Sequence, residues 1–204
     1  MVLFRWLDTI KDRWYIFDPE TLHRISKSAV AAYPNNTAQM IEHIVQDLTE
    51  TYATSNVRLS LRTGEWVLNN AGGAMGAFYV IHASITEYLI IFGTPLGTEG
   101  HTGSYPADDY FYVLTGEEWV FKPGEFEKRV YGPGSVNHQT QGCVQQYKMH
   151  EGCFALEYAR GWIPAMLPFG FMDGLTSTLD FSSLYRMSRI SAREIIGNLL
   201  IGKI

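Results

Sequence analysis

Two periodicities divide the chain. From residue 18 to residue 52 apolar side chains recur at helical spacing. Asp18-Pro19-Glu20 opens a first helix: Asp18 suits the cap, Pro19 the first helical position, and Glu20 the positive end of the dipole. Leu22, Ile25, Ala29 and Val30 form its stripe, and Tyr33-Pro34 ends it. Asn36 or Thr37 opens a second helix with Met40, Ile41, Ile44, Val45 and Leu48 on one face. From about Val57 the period becomes two. Short segments rich in branched and aromatic residues cover 57–61, 65–68, 77–83, 88–92, 110–114, 119–122, 126–131, 135–138, 144–148 and 153–158, with Gly, Pro, Asp and Asn between them. No helical stretch separates these segments, so the pattern predicts a mainly β fold, a barrel or jelly roll rather than a parallel α/β sheet.

After Arg160 the pattern is helical again. Residues 161–172 form an apolar run broken by Pro164 and Pro168. Asp180 then suits the cap of a long helix with Phe181, Leu184, Ile195 and Leu199 on or near one face and Arg186, Arg189 and Arg193 on another. Two placements fit that pattern: a helix lying in a membrane interface, or a helix packed on its own barrel.

Composition narrows the class. The chain has 204 residues, 46% of them hydrophobic and only 18% charged, with a net charge of -5. Disorder needs the opposite balance, and a nucleic-acid binder needs a basic stripe. The two cysteines, Cys143 and Cys153, do not make a disulfide scaffold. No apolar run reaches the ~20 residues of a membrane span. The charges are unevenly placed: between Arg62 and Lys122 there is no Lys or Arg, but seven acids and eleven aromatic residues. Either the acids sit at turns and edges, or one or two of them enter an aromatic cavity suited to a cation.

Three acids carry candidate chemistry. On a strand, Glu157 shares a face with Cys153, Ala155 and Ala159, all small. Turned inward, that face leaves space, and the carboxylate there must be paired or protonated; turned outward, Glu157 is an ordinary solvated acid. Asp109 shares a face with Phe111 and Val113, and Asp108 lies on the other face with Tyr110 and Tyr112. Two carboxyl groups in a dry pocket do not both ionise, so one keeps a proton near neutral pH. A neutral acid beside a carboxylate suits protonating an alkene and stabilising the carbocation that results. The six histidines show no metal-ligand spacing, so no metal is expected. Gly72 and Gly76 have the spacing of close backbone packing.

The segments Trp66–Gly76 (WVLNNAGGAMG), His82–Tyr88 (HASITEY), Phe92–Gly97 (FGTPLG), Gly100–Gly103 (GHTG) and Glu157–Pro164 (EYARGWIP) resemble the fungal sterol C8-isomerases and the related sigma non-opioid receptor. The likeness runs from about Asp8 to near the end of the chain. It leans to the isomerase branch through Ala107–Phe111 (ADDYF) and Tyr147–Glu157 (YKMHEGCFALE). The resemblance implies a cupin-like β-barrel with two N-terminal helices and two membrane-associated C-terminal helices. It also implies a homotrimer at the endoplasmic reticulum membrane, and a cofactor-free shift of a sterol double bond from C8 to C7. It places residues 8–204 in one domain, with helices over 18–52, the barrel over 57–160 and C-terminal helices over 161–204. Residues 1–7 are then what could remain of an N-terminal anchor, unless anchoring rests on the C-terminal helices. In the receptor branch a glutamate matching Glu157 holds the ligand's amine and an aspartate bonds to it. That aspartate's position holds Phe111 here, so Asp109 is the expected partner and Asp108 the competing one. Tyr88, Phe92, Phe78, Ile163 and Leu167 match pocket-lining positions, and Phe111 is expected to bind the substrate with them. The resemblance thus implies a sterol substrate and inhibition by cationic amphiphilic amines. The alternative is a non-catalytic binding protein for hydrophobic amines and sterols.

Overall fold

The computed structural model describes Trp6, residues 8–62 and residues 64–204. The expected anchor remnant at residues 1–7 lies outside the described residues except for Trp6. Helices α1 (Pro19–Ala32) and α2 (Thr37–Thr51) start where the caps place them. Asp18 accepts from Thr21 N–H and Asn36 from Gln39 N–H. Ten strands follow: β1 (Val67–Ala71), β2 (Ala74–Ala83), β3 (Glu87–Thr94), β4 (Thr98–His101), β5 (Ala107–Thr115), β6 (Glu118–Phe121), β7 (Arg129–Tyr131), β8 (Val136–Gln139), β9 (Gln146–Met149) and β10 (Cys153–Gly161). The chain ends in α3 (Leu167–Asp173), a π turn (Gly174–Thr178) and α4 (Phe181–Leu200), capped by Asp180.

Among the described residues the strands do not close into one barrel. They form two antiparallel sheets, one ordered β1-β2-β3-β10-β5-β8 and the other β4-β9-β6-β7. Segment 57–61 is irregular and lies outside both sheets. Arg58 N–H bonds Asn198, and Ser60 N–H bonds the Ile81 carbonyl. Strand β4 was hidden in the sequence because Thr98-Glu99-Gly100-His101 has no apolar alternation.

The large sheet is covered on both faces, by different partners. One face carries Tyr79, Ile81, Leu89, Ile91, Tyr112, Leu156 and Tyr158, which pack against Leu22, Ile25, Met40, Ile44 and Leu48 of α1 and α2. Burying each such side chain stabilises the fold by about 1.5–3 kcal/mol. Tyr112 and Tyr158 send their hydroxyls into the same layer, to the carbonyls of Pro19 and Phe17. The other face meets the small sheet over part of its area, through Phe111, Val113, Ala155 and Met149. The rest is covered by α4, whose Leu184, Met187 and Ile190 pack on Val67, Phe78, Val80 and Ile90.

The long C-terminal helix therefore packs on its own sheet along one stripe. Its arginine row is partly tied down: Arg193 clasps Glu65 with two bonds of 3.0 and 2.6 Å, and Arg186 donates to the Trp66 carbonyl. Away from that stripe, Phe181, Tyr185, Ile196 and Leu200 are exposed, as are Met172, Leu175 and Leu179 just before them. No helix among the described residues is long and apolar enough to cross a membrane.

Candidate functional site

The pairing register decides which way each acid points. Residues paired across antiparallel strands share a face. Glu157 on β10 pairs with Ile90 on β3 and Phe111 on β5. Asp109 pairs with Ala159 and with Gln139 of β8. Glu157 and Asp109 thus lie on the face turned away from α1 and α2. The small residues beside Glu157, Cys153, Ala155 and Ala159, are fully buried and pack under the side chains that wall the site, Phe92 and Tyr147 on one side and Tyr105 and Ile163 on the other.

Asp108 points the other way. It pairs with Arg160, lies 3.7 Å from that guanidinium, and accepts from Gln141 N–H. Asp108 is therefore not brought to Glu157. The strand's alternation separates it from Asp109, and its charge is already partnered.

The cavity above Glu157 has two parts. The larger, about 370 Å³, is lined mostly by apolar and aromatic side chains of the large sheet, α3 and α4. This volume lies within the range of small-molecule sites. Phe78, Tyr88, Phe92, Ile163 and Leu167 all line it, as the sequence reading expects, and Glu157 is the one acid among its lining residues. Behind it lies a smaller chamber of about 60 Å³ between the two sheets, with Asp109, Glu118, Asn137, Gln139 and Gln145 in its wall. Phe111 lines this rear chamber and not the larger cavity. Phe92, Tyr105, Tyr147, Phe169 and Glu157 line both parts, so Glu157 stands at their junction.

Burial sets the protonation states. Desolvation pushes the Glu157 carboxyl up to about 7. Asp109 is held well above the usual carboxylate range, first by burial and then by the charges of Glu157 and Glu118. Glu118 rises to about 8 through burial, with the Asn137 hydrogen bond pulling the other way. Near neutral pH Asp109 and Glu118 therefore hold protons, while Glu157 is poised between its two forms. The Tyr105 and Tyr147 hydroxyls, also buried here, stay protonated for the same reason.

Glu118 is the residue missed by sequence reasoning. Its strand β6 alternates buried and accessible positions, with Glu118 and Val120 inward and Trp119 and Phe121 outward. The signal was that Glu118 is in phase with Val120. Tyr105, Phe169 and Ser191 were also missed. Ser191 comes from α4, and its hydroxyl meets the Tyr88 hydroxyl at 3.3 Å. The lid over the larger cavity rests on a close approach at the β1–β2 turn. Gly72 has φ +61°, and a Cβ there would lie 2.3 Å from the His101 carbonyl and 2.8 Å from the Phe169 ring. Gly76 likewise abuts Phe92, so both glycines of the sequence motif mark close packing.

Another acid, Glu87, is buried but turned to the helix side. Its carboxylate accepts from Ile16 N–H, Phe17 N–H and the Tyr158 hydroxyl, and Lys203 lies 2.7 Å away. Glu87 thus fastens the segment before α1 and the residues after α4 to the sheet.

The chain matches the family model described as ERG2 and Sigma1 receptor like protein over residues 1–203. It is 57% identical over 192 residues to the C-8 sterol isomerase of Pyricularia oryzae, covering 94% of this chain and 86% of that one. It is 54% identical over 198 residues to the C-8 sterol isomerase erg2 of Aspergillus fumigatus, covering 97% and 82%. The sigma non-opioid intracellular receptor 1 of Taricha granulosa is 39% identical over 132 residues, 65% of this chain and 59% of that one. Among solved structures, an RmlC-like cupin from Shewanella frigidimarina is similar at a TM-score of 0.42 and 14% identity, over 50% of this chain and 89% of that one.

Proposed function

The chain belongs to the ERG2 and Sigma1 receptor like family, and from that premise we propose that it is a C-8 sterol isomerase that moves the double bond from C8 to C7 without a cofactor. The observation that carries this reading is a single poised carboxyl, Glu157, at the end of an apolar, aromatic cavity, with a protonated Asp109 on the neighbouring strand.

The reaction needs an acid strong enough to protonate an alkene, a stabilised cation, and a base. Glu157 gives its proton to C9; the C8=C9 pair forms the new C–H bond and leaves a tertiary cation at C8. The Glu157 carboxylate and the faces of Tyr88 and Phe92 hold that cation. Loss of a C7 proton then forms the C7=C8 bond. Glu157, as the one carboxylate lining the larger cavity, takes this proton and is ready for another cycle. Asp109 stands behind it as a neutral partner. Acid–base groups of this kind contribute roughly 100- to 10,000-fold each.

The same geometry gives a hydrophobic amine its place, since a protonated amine resembles the C8 cation. The exposed Met172, Leu175, Leu179 and Phe181 favour docking of the C-terminal helices on a membrane, with the sterol entering from it. We place that membrane at the endoplasmic reticulum. A homotrimer is part of the same reading, and exposed Phe121 and Val130 on the small sheet, with Phe126 in the turn between β6 and β7, offer apolar surface for it.

Expression in a strain that accumulates Δ8-sterols tests the function. Restored Δ7-sterols with the native chain, and none with Glu157→Gln, are expected. Amine binding with no sterol conversion would instead make the chain a receptor-like binding protein.

A further inference from the structure

We infer that Glu118 is a neutral hydrogen-bond donor that, across the rear chamber, stabilises the Glu157 carboxylate formed when its proton leaves. This role rests on the isomerase reading and gives a use to an acid that reading leaves idle.

Three observations carry it. Glu118 is 3% exposed, and its position on β6 in phase with Val120 turns it between the sheets. It shares one chamber with Glu157 and Asp109, which reach that chamber from the opposite sheet. One carboxyl oxygen accepts from the Asn137 amide at 3.3 Å, while the other, Oε2, is buried with no partner among the described residues. Oδ1 of Asp109 is in the same condition. A buried polar atom with no partner costs about 1–3 kcal/mol, so the arrangement asks for one.

The chemistry supplies it. An alkene is a very weak base, and burial makes Glu157 a weak acid, so the barrier depends on how well the new carboxylate is received. O–H donors fixed in place beforehand do this without reorganisation at the moment of transfer. The chamber has space for a bridging water as well as for direct contact. The polar groups lining it are Asp109, Glu118, Glu157, Tyr105, Tyr147 and Thr102, with the Asn137, Gln139 and Gln145 amides. None of these is cationic, and Arg129, whose charge acts on Glu118 from the next strand, does not line the chamber, so charge on Glu157 is met there by donors. The proton of Glu118 stays on Glu118 throughout; it is a positioning residue and not a catalytic one.

The test compares Glu118→Gln, which keeps an N–H donor, with Glu118→Met, which fills the space without one. Each full-length variant is assayed with a Δ8-sterol and titrated with a hydrophobic tertiary amine at neutral pH, after a melt confirms folding. Glu118→Met should lose about 100-fold in kcat with KM little changed, and Glu118→Gln less than about 10-fold. Amine binding should weaken about 10-fold in Glu118→Met, because Glu157 without its donor holds its proton more tightly. It should hold in Glu118→Gln. Native turnover by Glu118→Met, or equal loss in the two folded variants, would overturn the inference. If the native chain converts no sterol, the isomerase reading fails by itself. The amine titration then decides the donor role, and equal affinity in both variants would overturn it.

Discussion

Asp109 and Glu157 rise from neighbouring strands to the same side of the large sheet, although Asp109 faces Ala159 and Glu157 faces Phe111. The two carboxyls are thus diagonal neighbours, about 7–8 Å apart at the backbone by ordinary sheet geometry. Asp109 lies in the rear chamber and Glu157 at its junction with the larger cavity. Glu157→Gln should therefore abolish turnover, by about 1,000-fold or more, in a protein with a native melting curve. Asp109→Ala should lower kcat about 100-fold. Asp108→Asn should leave turnover within a few-fold of native, since the partners of Asp108, Arg160 and the Gln141 N–H, lie away from the cavity. A sterol assay on the three purified variants checks this. An inactive Asp108→Asn beside an active Asp109→Ala would reverse the assignment.

Stability should fall as pH rises through neutrality. Glu118 is raised from 4.5 to about 8 in the fold. Between those values the native state binds more protons than the unfolded chain, so its contribution is full below about pH 4.5 and is lost as pH approaches 8. Each such group gives a slope of at most about 1.4 kcal/mol per pH unit. Urea melts from pH 5 to 8 should show that slope in the native protein. It should be shallower in Glu118→Gln, which cannot ionise. Parallel curves for the two proteins would contradict the burial argument.

The Glu87–Lys203 pair should behave as a buried ion pair. Removing one partner leaves an uncompensated charge, at a cost of about 3–5 kcal/mol. Lys203→Met and Glu87→Gln should each lower the melting temperature strongly, while Glu87→Gln with Lys203→Met together should cost less than the sum. A double-mutant cycle measured by thermal melts gives the coupling directly. Additive losses would mean the two side chains do not depend on each other.

Gly72→Ala places a methyl group against the His101 carbonyl and the Phe169 ring, at a backbone angle that L residues rarely adopt. The strain is about 1–3 kcal/mol. Because Phe169 lines both parts of the cavity, displacement of α3 should raise KM for sterol more than it lowers kcat. Steady-state kinetics on the variant separates the two, and an unchanged KM would show that the lid absorbs the methyl group.

Periodicity and composition made the helices and nine of the ten proposed strands legible, because α1 and α2 bury regular stripes and the strands are rich in branched and aromatic residues. It failed at 57–61, where an apolar alternation serves a segment held by Asn198 and Ile81 instead of a sheet. It failed in the opposite sense at β4, whose residues carry no apolar alternation. Glu157 was legible as an acid among small residues, but its direction was not, since either face of an isolated strand serves equally well. Only the register with β3 and β5 fixes it. Glu118 needed more still: its meaning comes from a second sheet, and no local pattern reports what faces a strand from across a chamber.

The strand that carries Glu157 is shared between two neighbourhoods. Of its odd-numbered positions, Glu157 lines the cavity while Cys153, Ala155 and Ala159 pack beneath the residues that form its walls, and Leu156 and Tyr158 between them face the layer of α1 and α2. The two sets answer to separate demands. Substitutions at Ala155 or Ala159 can reshape what the cavity accepts while the helix layer stays as it is. Changes at Leu156 or Tyr158 would loosen the mounting without altering a single atom that a ligand touches. Selectivity and rigidity can thus diverge among relatives along one nine-residue strand, each at its own alternate positions.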